Sequence, residues 1–143
     1  MVQQMKFLIL EDDFNRIEWF LMKIAPHRVF LAYTADDAIR ALQNETFDVI
    51  FLDHDLCNDH YKYVGVPYTE NFEKWCQENL DSTTGFAVAR FLAQNPQVSP
   101  DAQVILHTMN TVAQQRMRKE LEARNPIVCG FDYLKNKGFV ING

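Results

Sequence analysis

Apolar residues fall along the chain in short blocks, each closed by polar or turn-forming residues. Lys6-Phe7-Leu8-Ile9-Leu10 is a nearly unbroken apolar run that stops at Glu11-Asp12-Asp13. A run apolar on both faces predicts a central parallel strand covered by helices on both sides. Ile17, Phe20, Leu21 and Ile24 then recur at helical spacing until Pro26 stops the helix. Residues 29–32 (Val-Phe-Leu-Ala) read as a second strand. Thr34 can cap the helix after it, whose apolar stripe is Ala35, Ala38, Ile39 and Leu42. Residues 49–52 (Val-Ile-Phe-Leu) predict a third strand ending at Asp53-His54-Asp55. A helix opening at Thr84-Gly85 turns Phe86, Val88, Ala89 and Leu92 inward. Residues 104–106 (Val-Ile-Leu) give a fourth strand ending at His107-Thr108, and Val112, Met117 and Leu121 mark a helix that Pro126 ends. The tail predicts a fifth strand, at 127–129 or at 131–134.

Strand and helix thus alternate. Parallel strands need crossovers, and right-handed crossovers put helices on both faces of the sheet. In such sheets the ligand crevice lies beyond the carboxyl ends of the strands. That rule gathers Glu11-Asp12-Asp13, Asp53-His54-Asp55 and His107-Thr108 at one edge.

The 143 residues, 48% of them hydrophobic, suit one domain spanning 1–143 with a real core. The formal charge of −5 speaks against sequence-blind binding to duplex nucleic acid. No apolar run approaches the length of about 20 residues that spans a bilayer, and the first residues lack the pattern of a secretory leader. The 3 cysteines (Cys57, Cys76 and Cys129) form no CxxC, so neither a disulfide frame nor a structural zinc site is indicated. A cytoplasmic setting is expected.

Bringing Glu11, Asp12 and Asp53 together is unfavourable unless a cation neutralises them, and small oxygen-ligand pockets suit Mg²⁺ or Mn²⁺. Asp12 and Asp53 are the expected direct ligands, with Glu11 acting through water. Because Mg²⁺ often pairs one or two carboxylates with phosphate oxygens, the pocket reads as a phosphoryl-handling site. A carboxylate at Asp53 can also attack phosphorus to give an aspartyl phosphate. Thr108 can donate to a phosphoryl oxygen, and a lysine can offset charge as it develops. Asp13 reads as a helix N-terminal charge.

These residues resemble the receiver domains of two-component response regulators. Leu8-Ile9-Leu10-Glu11-Asp12-Asp13 is similar to the first strand and acidic pair, and Asp48-Val49-Ile50-Phe51-Leu52-Asp53 to the third strand and its phospho-acceptor. Thr84-Gly85-Phe86 resembles the start of the third helix, and Val104-Ile105-Leu106-His107-Thr108 the fourth strand and its switch Thr. The resemblance implies a flavodoxin-like, doubly wound, five-stranded parallel sheet and a metal site drawing on Glu11, Asp12, Asp53 and the Asp55 position. It also implies a lysine after the fifth strand, for which Lys137, or alternatively Lys135, is the candidate. Receivers usually end that strand in Lys-Pro, whereas this chain has Lys135-Asn136-Lys137-Gly138.

Two further departures shape the reading. From Asp53 to Gly85 the chain runs far longer than in most receivers, so residues 57–82 read as an insertion over the pocket, with a short lid helix over 71–79. A last helix of full receiver length is not expected in the tail. His54 and His107 stand where most receivers carry apolar residues. Together with the Thr-Gly helix they resemble a divergent receiver group associated with processing cyclic phosphates, and a neutral imidazole can move a proton to or from an alkoxide or water. The expected function is therefore a metal-dependent phosphoesterase, with Asp53, His54, His107, Thr108 and Lys137 in catalytic roles. Its partner would be a phosphate-containing small molecule or an RNA end. The alternative is a stand-alone receiver phosphorylated on Asp53 by a sensor kinase. At the start of the insertion, Asp55, Cys57, Asp59 and His60 match no familiar zinc spacing. Tyr61, Tyr63, Tyr68, Phe72 and Trp75 read as a small satellite core before they read as base-stacking rings.

Overall fold

A computed structural model of the chain describes residues 4–56 and 69–137. Five parallel strands, β1 (Lys6–Leu10), β2 (Arg28–Ala32), β3 (Val49–Leu52), β4 (Gln103–Leu106) and β5 (Ile127–Val128), form one sheet in the order β2-β1-β3-β4-β5. The helices are α1 (Phe14–Ile24), α2 (Ala35–Asn44), α3 (Glu70–Asn79), α4 (Gly85–Gln94), α5 (Thr111–Glu120) and α6 (Phe131–Lys137). This is the doubly wound α/β architecture expected from the alternation of elements.

Strand alternation divides the core into two layers. Phe7, Ile9, Val49, Phe51 and Ile105 point to one face and pack with Phe20 and Ile24 of α1 and Phe131 and Leu134 of α6. Leu8, Leu10, Ile50, Leu52, Val104 and Leu106 point to the other face and meet α2, α4 and α5. Because successive strand residues alternate in direction, this division also decides where the polar residues at the strand ends point.

The tail corrects one expectation. Residues 131–134, a candidate fifth strand, open α6, while β5 is only Ile127–Val128. A strand would bury Phe131 with Tyr133. Instead Phe131 and Leu134 are buried at helical spacing, and Tyr133 is 60% exposed. The last helix is therefore present but short. Both candidate lysines consequently stand on α6, well past the end of β5, instead of directly after a strand. Lys135 is exposed, and the side chain of Lys137 lies outside the described structure.

The helix expected over 71–79 forms α3, capped by the Thr69 hydroxyl at the Phe72 amide. Its Phe72 and Trp75 rings stack on each other 6.0 Å apart. Cys57, Asp59, His60, Tyr61, Tyr63 and Tyr68 lie outside the described residues. Arg116 of α5 fastens α3 down. Its guanidinium meets both Glu73 oxygens (2.6 and 3.1 Å) and both Asp81 oxygens (2.9 and 2.7 Å), and lies over the Phe86 ring at 4.4 Å. Among the described residues, no helix is long and apolar enough to cross a membrane.

Candidate functional site

The register of the sheet assembles the site. Ile9, Phe51 and Ile105 stand side by side on β1, β3 and β4. Two residues further along each chain come Glu11, Asp53 and His107, on the α1/α6 side of the sheet. Oxygen or nitrogen atoms of these buried residues all lie within 4.8 Å of one another. Asp12, His54 and Thr108 fall one position later, past the strand ends, where loop contacts place them.

Glu11 is held from several sides. Its Oε2 accepts the amides of Asp12 (3.0 Å) and Asp13 (3.3 Å), and its Oε1 lies 3.1 Å from Nε2 of His107. Burial alone would raise this carboxyl. The hydrogen bond and charge of His107, with help from Asp53 and Arg16, outweigh burial and bring it down to about 2. Since an ionised carboxylate only accepts, His107 Nε2 carries the hydrogen in this contact. The other ring nitrogen, Nδ1, is buried without a hydrogen-bond partner, and the ring packs edge-on against Phe20 (5.2 Å), Phe51 (6.2 Å) and Phe131 (6.5 Å).

Asp53 is 1% exposed. Its Oδ1 accepts the His54 amide at 2.9 Å, while Oδ2 is buried without a hydrogen-bond partner. Burial, followed by the charge of Glu11, raises its pKa well above the ordinary aspartate value. Asp12 stands beside this group, half-buried, with Oδ1 also lacking a hydrogen-bond partner. Burial and the neighbouring Glu11 push it up to about 6. Two buried carboxyl oxygens without hydrogen-bond donors, next to a third carboxylate already ionised, form a pocket that a cation would neutralise. The hard oxygen donors of Glu11, Asp53 and Asp12 fit Mg²⁺ or Mn²⁺.

The remaining predicted residues gather elsewhere. His54 Nδ1 pairs with Asp55 Oδ1 at 2.9 Å, and Asp55 Oδ2 faces Asn110 Nδ2 at 3.5 Å. The Asp55 carboxylate is thus engaged outside the Glu11–Asp53–His107 group. His54 Nε2 is buried without a partner, and the residue lines a small cavity under α3 together with Cys76, Leu80 and Ala113. Thr108 is fully buried, and its hydroxyl accepts the Asn110 amide at 3.2 Å. Asn110 in turn caps α5 at the Ala113 amide.

Sequence reading missed two arginines. Arg16 of α1 brings one guanidinium nitrogen within 3.6 Å of Glu11 Oε1 and 3.7 Å of Asp53 Oδ2. The available signal was its place one helical turn beyond Asp12, on the same face as Phe20. Arg116, which ties down α3, gave no signal, because its acidic partners are remote in sequence.

Comparison with known proteins gives the family and the fold. The family model for the cyclic-phosphate processing receiver domain matches residues 7–123. The chain belongs to that family. No protein of curated function matches it. Among solved structures it is similar to a CheY-like response-regulator receiver domain from Methylobacillus flagellatus (16% identity, 94% of this chain and 96% of that one, TM-score 0.57). It is also similar to the receiver domain of a Francisella response regulator (15% identity, 94% and 89%, TM-score 0.58). A third match is the receiver domain of an HD domain-containing protein from Pseudomonas fluorescens (12% identity, 94% and 88%, TM-score 0.60). At these identities the structures share the fold. The flavodoxin-like receiver sheet expected from the sequence is the one observed.

Proposed function

We propose that this receiver domain uses a divalent cation, Mg²⁺ or Mn²⁺, and Asp53 to process a phosphate ester, with cyclic phosphates on nucleotides or RNA ends as the substrate class. One observation carries the reading. Asp53 Oδ2, buried and without a hydrogen-bond donor, stands beside an ionised Glu11 at the carboxyl edge of the sheet. The family description supports the substrate class. Glu11, Asp53 and Asp12 would hold the cation. When bound, it would favour the ionised form of Asp53 and offset charge on phosphoryl oxygens.

Asp53 then attacks phosphorus. A new bond forms from its carboxylate oxygen, the bond to one ribose oxygen breaks, and that oxygen leaves as an alkoxide that takes up a proton. Water cleaves the acyl phosphate and restores the carboxylate. Of the two histidines, His107 shares the pocket and acts through the hydrogen it offers Glu11. His54 faces the cavity under α3, and its catalytic role therefore depends on what enters from that side. Thr108 and Lys137 are proposed to assist at the phosphoryl oxygens.

Purified protein with Mg²⁺, incubated with 2′,3′-cyclic nucleotides and with RNA bearing a terminal cyclic phosphate, tests this reading. Ring opening is expected for the parent and not for Asp53→Asn. Equal products from both would overturn it. The alternative reading, a receiver phosphorylated by a sensor kinase, draws on the position of Thr108, two residues past the end of β4. A stable adduct of acetyl phosphate, seen by intact mass and absent from Asp53→Asn, together with no ring opening, would favour it.

A further inference from the structure

The carboxylates of the pocket already have a cation beside them. Arg16 stands close to Glu11 and Asp53 at once. Its guanidinium is braced from behind by the Phe131 ring, 5.0 Å from the ring centroid. The Asp13 carboxylate fixes its backbone by accepting the Arg16 amide at 3.1 Å. Glu11, Asp53 and His107 have almost no contact with solvent, whereas the Arg16 side chain is 22% exposed. Among these residues, then, Arg16 forms the outer layer of the pocket. Meanwhile β5 is followed by Cys129 and Gly130, and Lys135 lies on the exposed surface of α6.

We propose that Arg16 is an exchangeable cation. In the metal-free pocket it stands in for the divalent ion between Glu11 and Asp53, and once the ion binds it is released to grip the phosphoryl oxygens. The chemistry favours an arginine here. Its planar fork can pair with two oxygens of a carboxylate or of a phosphate, so one side chain can trade one partner for the other. Two positive groups cannot share the same carboxylates without repulsion, so entry of the divalent ion displaces the guanidinium outward. Outward is where the phosphoryl group arrives. The inference rests on the metal and phosphate reading above, but it does not require turnover.

Calorimetric titration separates the two. The probes are Mg²⁺ alone, then beryllofluoride with Mg²⁺ saturating, which mimics a phosphoryl group on Asp53. Arg16→Gln should bind Mg²⁺ as tightly as the parent or tighter, since a competing cation is gone. It should bind beryllofluoride about tenfold or more weakly, the loss expected for one charge-assisted contact. Arg16→Lys keeps the charge but not the fork. It should retain parent-like Mg²⁺ affinity and lose part of the anion affinity, and it serves should Arg16→Gln not fold. Equal weakening of both ligands in the arginine variants would mean a structural role and overturn the proposal. So would loss of anion binding in Lys137→Ala with Arg16→Gln unaffected. A parent protein that binds neither probe overturns this inference and the proposed function together. The predicted split without any ring opening would overturn the enzymatic reading and leave this one standing.

Discussion

Gly85 is pressed against the backbone of Asp53. A Cβ at this position would fall onto the Asp53 carbonyl oxygen, while the Gly85 amide donates to the His54 carbonyl at 2.9 Å. The first turn of α4 can approach the site strand only because residue 85 has no side chain. The obstructing atoms, the Asp53 carbonyl group and the His54 Cα, are all backbone, so none can swing aside. Gly85→Ala should cost about 3 kcal/mol, the upper end of ordinary overpacking, read as a fall in the urea midpoint. Gly130→Ala is the control. Its nearest obstruction is the flexible Met109 sulfur at 2.9 Å, and the loss should stay below about 1 kcal/mol.

Arg116 makes a different kind of prediction, because its loss should be felt locally. Both it and Asp81 are buried, and removing the guanidinium leaves the Asp81 charge without its two-pronged partner. Arg116→Ala should destabilise the protein by about 3 kcal/mol, as breaking a buried ion pair does. Arg116→Met, which fills much of the space, should not recover that loss while Asp81 remains. The amides of α3 should lose hydrogen-exchange protection before those of β1 and β3. Uniform loss across the sheet would show that Arg116 serves the whole fold and not the α3 attachment.

The strand-end chemistry was legible because two periodicities coincide. Residues 7, 9 and 11 share a face, as do 49, 51 and 53, and 105 with 107, so the apolar residues that fix the register carry Glu11, Asp53 and His107 into one pocket. The acid pair and Asp53 could therefore be placed from the runs alone. Less could be said of His54 and Thr108, which lie past the strand ends and are placed by loop contacts with Asp55 and Asn110. Of the two candidate strands in the tail, 127–129 holds β5 and 131–134 opens α6, and the choice between them had to wait for packing. A four-residue stretch such as Phe-Asp-Tyr-Leu fits a strand or a helical turn, and packing of Phe131 and Leu134 against α1 decided it. The arginines escaped notice because a helix-borne arginine is ordinarily solvated. Only the tertiary fold shows that Arg16 and Arg116 turn inward.

The pocket also strains the metal-free protein, and the sign of that strain can be worked out. Asp12 and Asp53 have folded-state pKa values raised above those of the unfolded chain, Asp12 to about 6. The folded state therefore holds protons that the unfolded state releases, and stability falls as pH rises through that window. Glu11 acts oppositely, but its contribution is lost only as pH drops below about 4.5 towards 2. Between about pH 4 and 6, metal-free protein should melt at progressively lower temperature as pH rises. Saturating Mg²⁺ should flatten the slope. Asp53→Asn should raise the pH 8 melting temperature of metal-free protein while abolishing the Mg²⁺ effect. A flat metal-free profile would mean that the carboxylates are already compensated.

His107 offers the cleanest separation of holding a ligand from moving a proton. Its ring lies among Phe20, Phe51 and Phe131, so His107→Phe fits a site already shaped for an aromatic ring. What the substitution removes is the hydrogen offered to Glu11 Oε1 at 3.1 Å. Without it, Glu11 should rise from about 2 towards its ordinary value, and the carboxylate should lose its fixed orientation. Removing a partner that orients a metal ligand typically costs about 10- to 100-fold in affinity. Calorimetry with Mn²⁺ should therefore show that loss in His107→Phe, and His107→Gln should recover part of it, because its amide can still donate. If His107→Phe binds Mn²⁺ like the parent yet opens no cyclic phosphate, the imidazole serves proton transfer alone. The contact with Glu11 would then be a consequence of the fold and not a support for the metal.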